Sequence, residues 1–145
     1  MKYLIRAATK NDCYSLSRLM TQLLNRDITE EQMQDRLGFV ERSPFDQLFV
    51  YEEEGIVIGT LGFRIRENIE DTTRYGEISV LVVDQEAKRK GIGKTLMNYA
   101  DNLAKELDCK GTWLVSGNKR IEEAHKFYNE LGFEITGSRF VKNFY

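Results

Sequence analysis

The chain has 145 residues, 41% hydrophobic and 11% aromatic, with a net charge of −2; that is enough apolar material for one substantial core, and it argues against a broad nucleic-acid-binding face. No apolar run approaches the ~20 residues that would cross a bilayer. A single histidine argues against a histidine-based metal centre or a Ser-His-Asp triad, and Cys13 and Cys109 belong to no ligand set, so no metal is expected and the thiols read as reduced, in a cytoplasmic protein.

One proline and no Gly/Ser-rich tract leave no evident linker, so residues 1–145 read as a single domain. Residues 4–8 form a first short strand. Asn11 or Asp12 can cap a helix whose apolar face is Leu16, Leu19, Met20, Leu23 and Leu24. Thr29 can cap a second helix that runs to near Phe39, before Ser43 and Pro44 break the pattern. Residues 48–51 and 56–65 read as a hairpin around Glu53, Glu54 and Gly55, and the polar stretch 67–74 as an exposed turn. A central strand covers 77–83. Simple alternation along it puts Glu77, Ser79, Leu81 and Val83 on one face and Ile78, Val80 and Val82 on the other.

Directly after that strand comes Lys88-Arg89-Lys90-Gly91-Ile92-Gly93, leading into Lys94-Thr95-Leu96 and a helix. Glycines at a helix start let backbone amides converge on a phosphate group. Two familiar loops fail here. The P-loop needs a glycine where this chain has Lys88, and the dinucleotide fingerprint needs one at Leu96. What remains is a basic-x-x-Gly-x-Gly loop, which resembles the pyrophosphate-wrapping motif of the GNAT superfamily of acyl-CoA-dependent N-acetyltransferases. Lys88 departs from the Gln or Arg usual in that motif, keeping a cation without the planar fork.

The helix after the loop carries Ile92, Leu96, Tyr99, Ala100, Leu103 and Leu107 on one face, and residues 112–115 form a fifth strand. Ile121, Ala124, Phe127, Tyr128 and Leu131 mark a last helix, stopped by Gly132, and residues 133–136 and 139–142 read as strands closing the sheet. The run Arg120 to Phe133, with Ala124, His125, Phe127, Tyr128 and Gly132, resembles the second GNAT block in both order and separation.

The resemblance implies an α/β fold: a mixed, mostly antiparallel sheet of six to seven strands with about four helices. It implies acetyl-CoA as co-substrate, no metal, and direct transfer of the acetyl group to a primary amine, by the form of the second block that of a small molecule. Around the pyrophosphate would stand Lys88, Arg89, Lys90, Gly91, Ile92, Gly93, Lys94 and Thr95. Leu81, Val82 and Val83 would run beside the pantetheine arm, Leu81 or Val82 offering its N–H to the oxyanion, with Asn118 and Phe127 also lining the cofactor. Tyr128 matches the family tyrosine near the thioester sulfur, and Glu77 the base of one branch, a water chain being the alternative. Other readings stay open: a non-catalytic acyl-CoA-binding regulatory module, a lysine or N-terminal protein acetyltransferase, or a nucleotide-binding protein using Gly93-Lys94-Thr95. Glu52, Glu53, Glu54, Glu67, Glu70 and Asp71 could attract a cationic amine. Neither nucleic acid nor membrane is expected as a partner; homodimers are common in the family.

Overall fold

The computed structural model describes residues 2–88, 90–117 and 121–145. In chain order it runs β1 (Tyr3–Ala7), α1 (Cys13–Leu24), α2 (Glu30–Arg42), β2 (Asp46–Glu53), β3 (Ile56–Glu67), β4 (Arg74–Val83), α3 (Ile92–Glu106), β5 (Gly111–Leu114) and α4 (Ile121–Glu130). Local chemistry accounts for most of these boundaries. Thr29 Oγ1 accepts from the Gln32 amide at 3.1 Å while Gln32 Oε1 accepts from the Thr29 amide at 2.8 Å, so α2 starts on a reciprocal cap. Glu54 and Gly55 both take positive φ, 51° and 80°, the twist that a tight hairpin turn between β2 and β3 demands.

Asp12 does precede α1, but its side chain makes no cap bond to that helix. Its carboxylate instead accepts two bonds from the Arg6 guanidinium, each 2.8 Å, and one from the Thr9 amide at 2.7 Å. Arg6 also donates to Glu52 at 2.7 Å. The guanidinium holds the Asp12 carboxyl below its usual range, against the opposing pull of burial.

The five strands stand in the order β1-β2-β3-β4-β5, antiparallel except for the parallel pair β4–β5. Each face of the sheet has its own core. On one side α3 packs Ile92, Leu96, Met97 and Ala100 against Leu61, Phe63 and Ile78. On the other, α1 and α2 pack Leu16, Leu19, Met33 and Leu37 against Val50, Val57 and Val82. Truncating a fully buried side chain such as Phe63 or Leu16 to alanine typically costs about 2–5 kcal/mol. Gly76 is set by space: a Cβ there would overlap the Phe63 ring.

Two expectations need correcting. The alternation along β4 fails at one point, because the β3–β4 register passes from Gly62↔Val80 to Phe63↔Ile78 and leaves Ser79 as an extra residue. The bulge resets the phase. Ile78, Leu81 and Val83 share the α3 face, whereas Val80 and Val82 face α1 and α2.

Residues 133–136 and 139–142 form no strand either, so the sheet has five strands among the described residues rather than six or seven. Those segments have β-forming side chains, but a strand exists only where a neighbouring edge supplies its ladder.

Candidate active site

β4 is paired on both sides only in its first half. Tyr75–Ile78 align with Gly111–Leu114 of β5, and beyond Ile78, among the described residues, only β3 continues beside it. The second half of β4 therefore presents unpaired backbone groups to an opening between itself and the chain after Leu114. Their direction follows from one bond: the Asp84 amide donates to Ile58 O on β3 at 2.8 Å. Amides alternate along a strand. Those of Val82 and Val80 thus turn toward β3, and those of Leu81 and Val83 toward the opening.

The loop to α3 is fastened from below. The Asp84 side chain accepts from the Glu86 amide at 3.0 Å and stands 3.5 Å from Arg18 Nη2; Gln22 Oε1 accepts from the Gln85 amide at 3.0 Å. Sequence reasoning missed Asp84, Arg18 and Gln22 as loop-shaping residues. The available signal was an Asp at a strand end, able to bond the backbone two residues on.

Beyond them Gly91 adopts φ +76°, a left-handed conformation natural for glycine, as the N-cap of α3. No side chain caps this helix and no acid stands in its first turn. The Thr95 hydroxyl donates to Gly91 O at 2.9 Å and is occupied within the helix. The amides of Gly91, Ile92, Gly93 and Lys94 precede the first intrahelical bond, Thr95 N–H to Gly91 O at 3.0 Å. Ile92 is buried and anchors the turn, while Lys88, Lys90 and Lys94 are exposed around it. Open amides, a positive helix end and surrounding lysines fit a diphosphate. Arg89 and Asn118 lie outside the described residues.

Phe127 of α4 closes one flank. A Cβ on Gly93 would lie 3.4 Å from the Phe127 ring, ordinary contact, so α4 rests directly against the start of α3. The Phe127 and Tyr128 rings meet edge to face at 5.1 Å, and Tyr128 meets Phe133 at 5.8 Å. These residues pack on the α3-side core together with Leu81, Val83 and Leu114. Burial pushes the Tyr128 phenol above its ordinary value, so it stays a neutral O–H donor at physiological pH.

Glu77 sits on the opposite face. Its Oε1 is fully buried, has no hydrogen-bond partner, and stands 3.7 Å from Arg66 Nη1. The Arg66 guanidinium lies over the Trp113 ring at 5.3 Å, and Trp113 is the β5 neighbour of Glu77 in register. Glu77 thus stands in the last paired stretch of β4, and Tyr128 packs with Leu81 and Val83 on the α3 face beyond it. The acidic turns do not converge there. Glu52 is bonded to Arg6, Glu67 to Arg74, and Asp71 to Thr73, so much of that charge is already engaged.

Comparison with known proteins gives a consistent result. The model of the acetyltransferase (GNAT) family matches residues 12–133. An aminoalkylphosphonate N-acetyltransferase from Salmonella typhimurium is 26% identical over 138 residues, spanning 95% of this chain and 89% of that protein. Among solved structures, a transcriptional regulator from Bacillus halodurans superposes with a TM-score of 0.89 at 19% identity, over 99% of this chain and all of the other. An aminoglycoside N-acetyltransferase in complex with CoA superposes at 0.84 and 16% identity, over 98% and 94% of the two chains.

Proposed function

Because the chain belongs to the GNAT family and is an acetyl-CoA-dependent N-acetyltransferase, we propose that it acetylates the primary amine of a small molecule by direct attack on the thioester. The observation that carries this reading is the half-paired β4. Its free Leu81 and Val83 amides lie beside the uncapped start of α3, with Glu77 in the last paired stretch of β4 and Tyr128 on the α3 face beyond it.

In this reading the amides of residues 91–94, with Lys88, Lys90 and Lys94, hold the diphosphate. Thr95 and Phe127 line its surroundings; Val82, expected beside the cofactor, instead joins the α1 and α2 core and turns its amide to β3. Glu77 takes a proton from the acceptor ammonium, directly or through one water, since an amine is mostly protonated near neutral pH. The amine nitrogen then forms its bond to the acetyl carbon. The Leu81 N–H donates to the carbonyl oxygen as it gains negative charge. As the carbon–sulfur bond breaks, the Tyr128 O–H gives its proton to the leaving sulfur; the acylated nitrogen sheds its second proton through water, which restores the Tyr128 phenol, and the Glu77 proton returns to solvent.

The acceptor is an amine that also carries an anionic group. Supporting this, Arg66 and Glu77 form an ion pair at 3.7 Å, a charge pattern that the two ends of such a molecule would match on replacing it. The Salmonella relative, an aminoalkylphosphonate N-acetyltransferase, agrees with this choice. The test is free-thiol release from acetyl-CoA with aminoalkylphosphonates, amino acids, polyamines, aminoglycosides and a lysine peptide. Aminoalkylphosphonates and amino acids are expected to turn over fastest. Faster turnover of the peptide would move the acceptor to proteins, and thiol release with none of the panel would overturn the small-molecule reading.

A further inference from the structure

One row of side chains crosses the sheet from β2 to β5 on the face opposite α3. The registers pair Asp46 with Arg64, Arg64 with Glu77 and Glu77 with Trp113, so the four stand side by side across four strands. Leu48 and Val80, the next residues along this face, already belong to the core beneath α1 and α2. The row is therefore the polar margin of that core. Arg66, two residues beyond Arg64 and on the same face, lies over the Trp113 ring and makes the ion pair with Glu77.

The cations of this row outnumber the carboxylates free to answer them. Asp46 accepts from the hydroxyl of Ser43, the C-cap of α2, at 2.6 Å, and stands 3.6 Å from Arg64 Nε. Glu77 is the carboxylate that the acceptor ammonium would take over. Each guanidinium has five donors and meets one carboxylate here. The Arg64 and Arg66 side chains are 40% and 45% exposed, so their remaining donors reach solvent. Two residues along a strand are about 6.6 Å apart, a span that two guanidinium groups can close around one polyatomic anion.

Resting on the reading that the acceptor is a small amine carrying an anionic group, we propose that Arg64 joins Arg66 at that anion and sets its kind: a tetrahedral phosphorus oxyanion, as in a phosphonate or a phosphate monoester, in preference to a carboxylate. A carboxylate has two oxygens and is filled by one bidentate fork. A phosphate group has a third oxygen and a charge of about −1.5 to −2 near neutral pH, which leaves an oxygen and a charge for a second fork. Arg66 serves either acceptor, and Arg64 serves the phosphorus acid above all. Ser43 and Asp46 hold Arg64 by its Nε side, which leaves the two Nη groups for the ligand.

Thiol release from acetyl-CoA with aminoethylphosphonate, phosphoethanolamine, β-alanine and ethylamine tests the assignment, since all four share a two-carbon chain. The wild type is expected to favour at least one phosphorus acceptor over β-alanine by roughly tenfold or more in kcat/KM; which of the two leads separates phosphonate from phosphate. Arg64→Gln is expected to cut that ratio roughly 10- to 100-fold through KM, the scale of losing hydrogen bonds to a charged group, and Arg64→Lys to restore part of it. Arg66→Gln should raise KM for the phosphorus acids and β-alanine together. A merely structural role for Arg64 would slow every acceptor in proportion and leave the ratio where it was. An unchanged ratio in Arg64→Gln, or a wild type without the preference, overturns the assignment while an anionic acceptor still stands. Ethylamine turned over as fast as the anionic amines defeats the anionic-acceptor reading itself, and the role of Arg64 with it.

Discussion

Helices α2 and α3 face the same problem at their first turns, a row of backbone amides with no partner inside the helix, and the chain finishes the two in opposite ways. At α2 the donors are taken up locally by Thr29 and Gln32, with Glu30 and Glu31 set against the positive helix end. At α3 the cap is a left-handed glycine, no acid is near, and lysines surround the donors. One start is closed by its own side chains and the other is left open. The contrast extends outward: Arg6, Asp12 and Glu52 around β1 satisfy one another, while Glu77 Oε1 and the Leu81 and Val83 amides near α3 do not.

If that division is real, changes around α3 should alter kinetics with little effect on stability, and changes around α2 and β1 the reverse. The largest effect belongs to Tyr128→Phe. It should lower kcat by a factor on the order of 10²–10⁴ with the acetyl-CoA KM unchanged, which would separate proton donation from anion holding; an unaltered kcat removes Tyr128 from the reaction. Next, Lys94→Glu gives α3 the acidic first turn that α2 has. Thermal stability should hold or rise by about 0.3–1 kcal/mol, while the acetyl-CoA KM rises roughly 10- to 100-fold, the scale of losing a charged hydrogen bond. A stable variant with normal KM would place the anion elsewhere.

Asp12→Asn should destabilise the fold by about 1.5 kcal/mol, again the scale of hydrogen bonds to a charged partner, with kcat/KM of the folded protein intact. Since Asp12 is held below its ordinary pKa, its stabilisation is present above the unfolded value of ~3.9 and fades as pH falls through the folded one. The gap between wild type and variant should therefore shrink in acid urea titrations. A gap independent of pH would assign the cost to packing. Smallest of all, Thr29→Ala should cost about 1 kcal/mol, a fall of roughly 2–4 °C in Tm, and leave acetyl transfer untouched.

Much of this was legible from local pattern. The Thr29 cap, the hairpin at Glu54–Gly55 and the glycine loop before α3 each depend on residues a few positions apart, so they are written in neighbouring letters. Ser79 was not legible, because the period-two rule assumes that no residue is extra, and only the pairing with β3 exposes one. The Arg66–Glu77–Trp113 group spans three strands and needs their register to come together. Asp12 was expected as a helix cap, but a guanidinium from β1 competed for it and won. The segments expected to close the sheet carry a sound β pattern but do not pair with the free edge of β5, which no local rule reports.

The displaced residue at Ser79 has a consequence for how this strand can change over generations. Sliding an acidic side chain by two places along its lower part preserves which wall of the sheet it serves, so such moves are open to drift. Deleting Ser79 would be of another order: it would flip Tyr75, Glu77 and Ile78 together, sending a carboxylate toward the α3 core and an isoleucine to the face that Glu77 now occupies. The kink works as a ratchet, permitting even steps and forbidding odd ones.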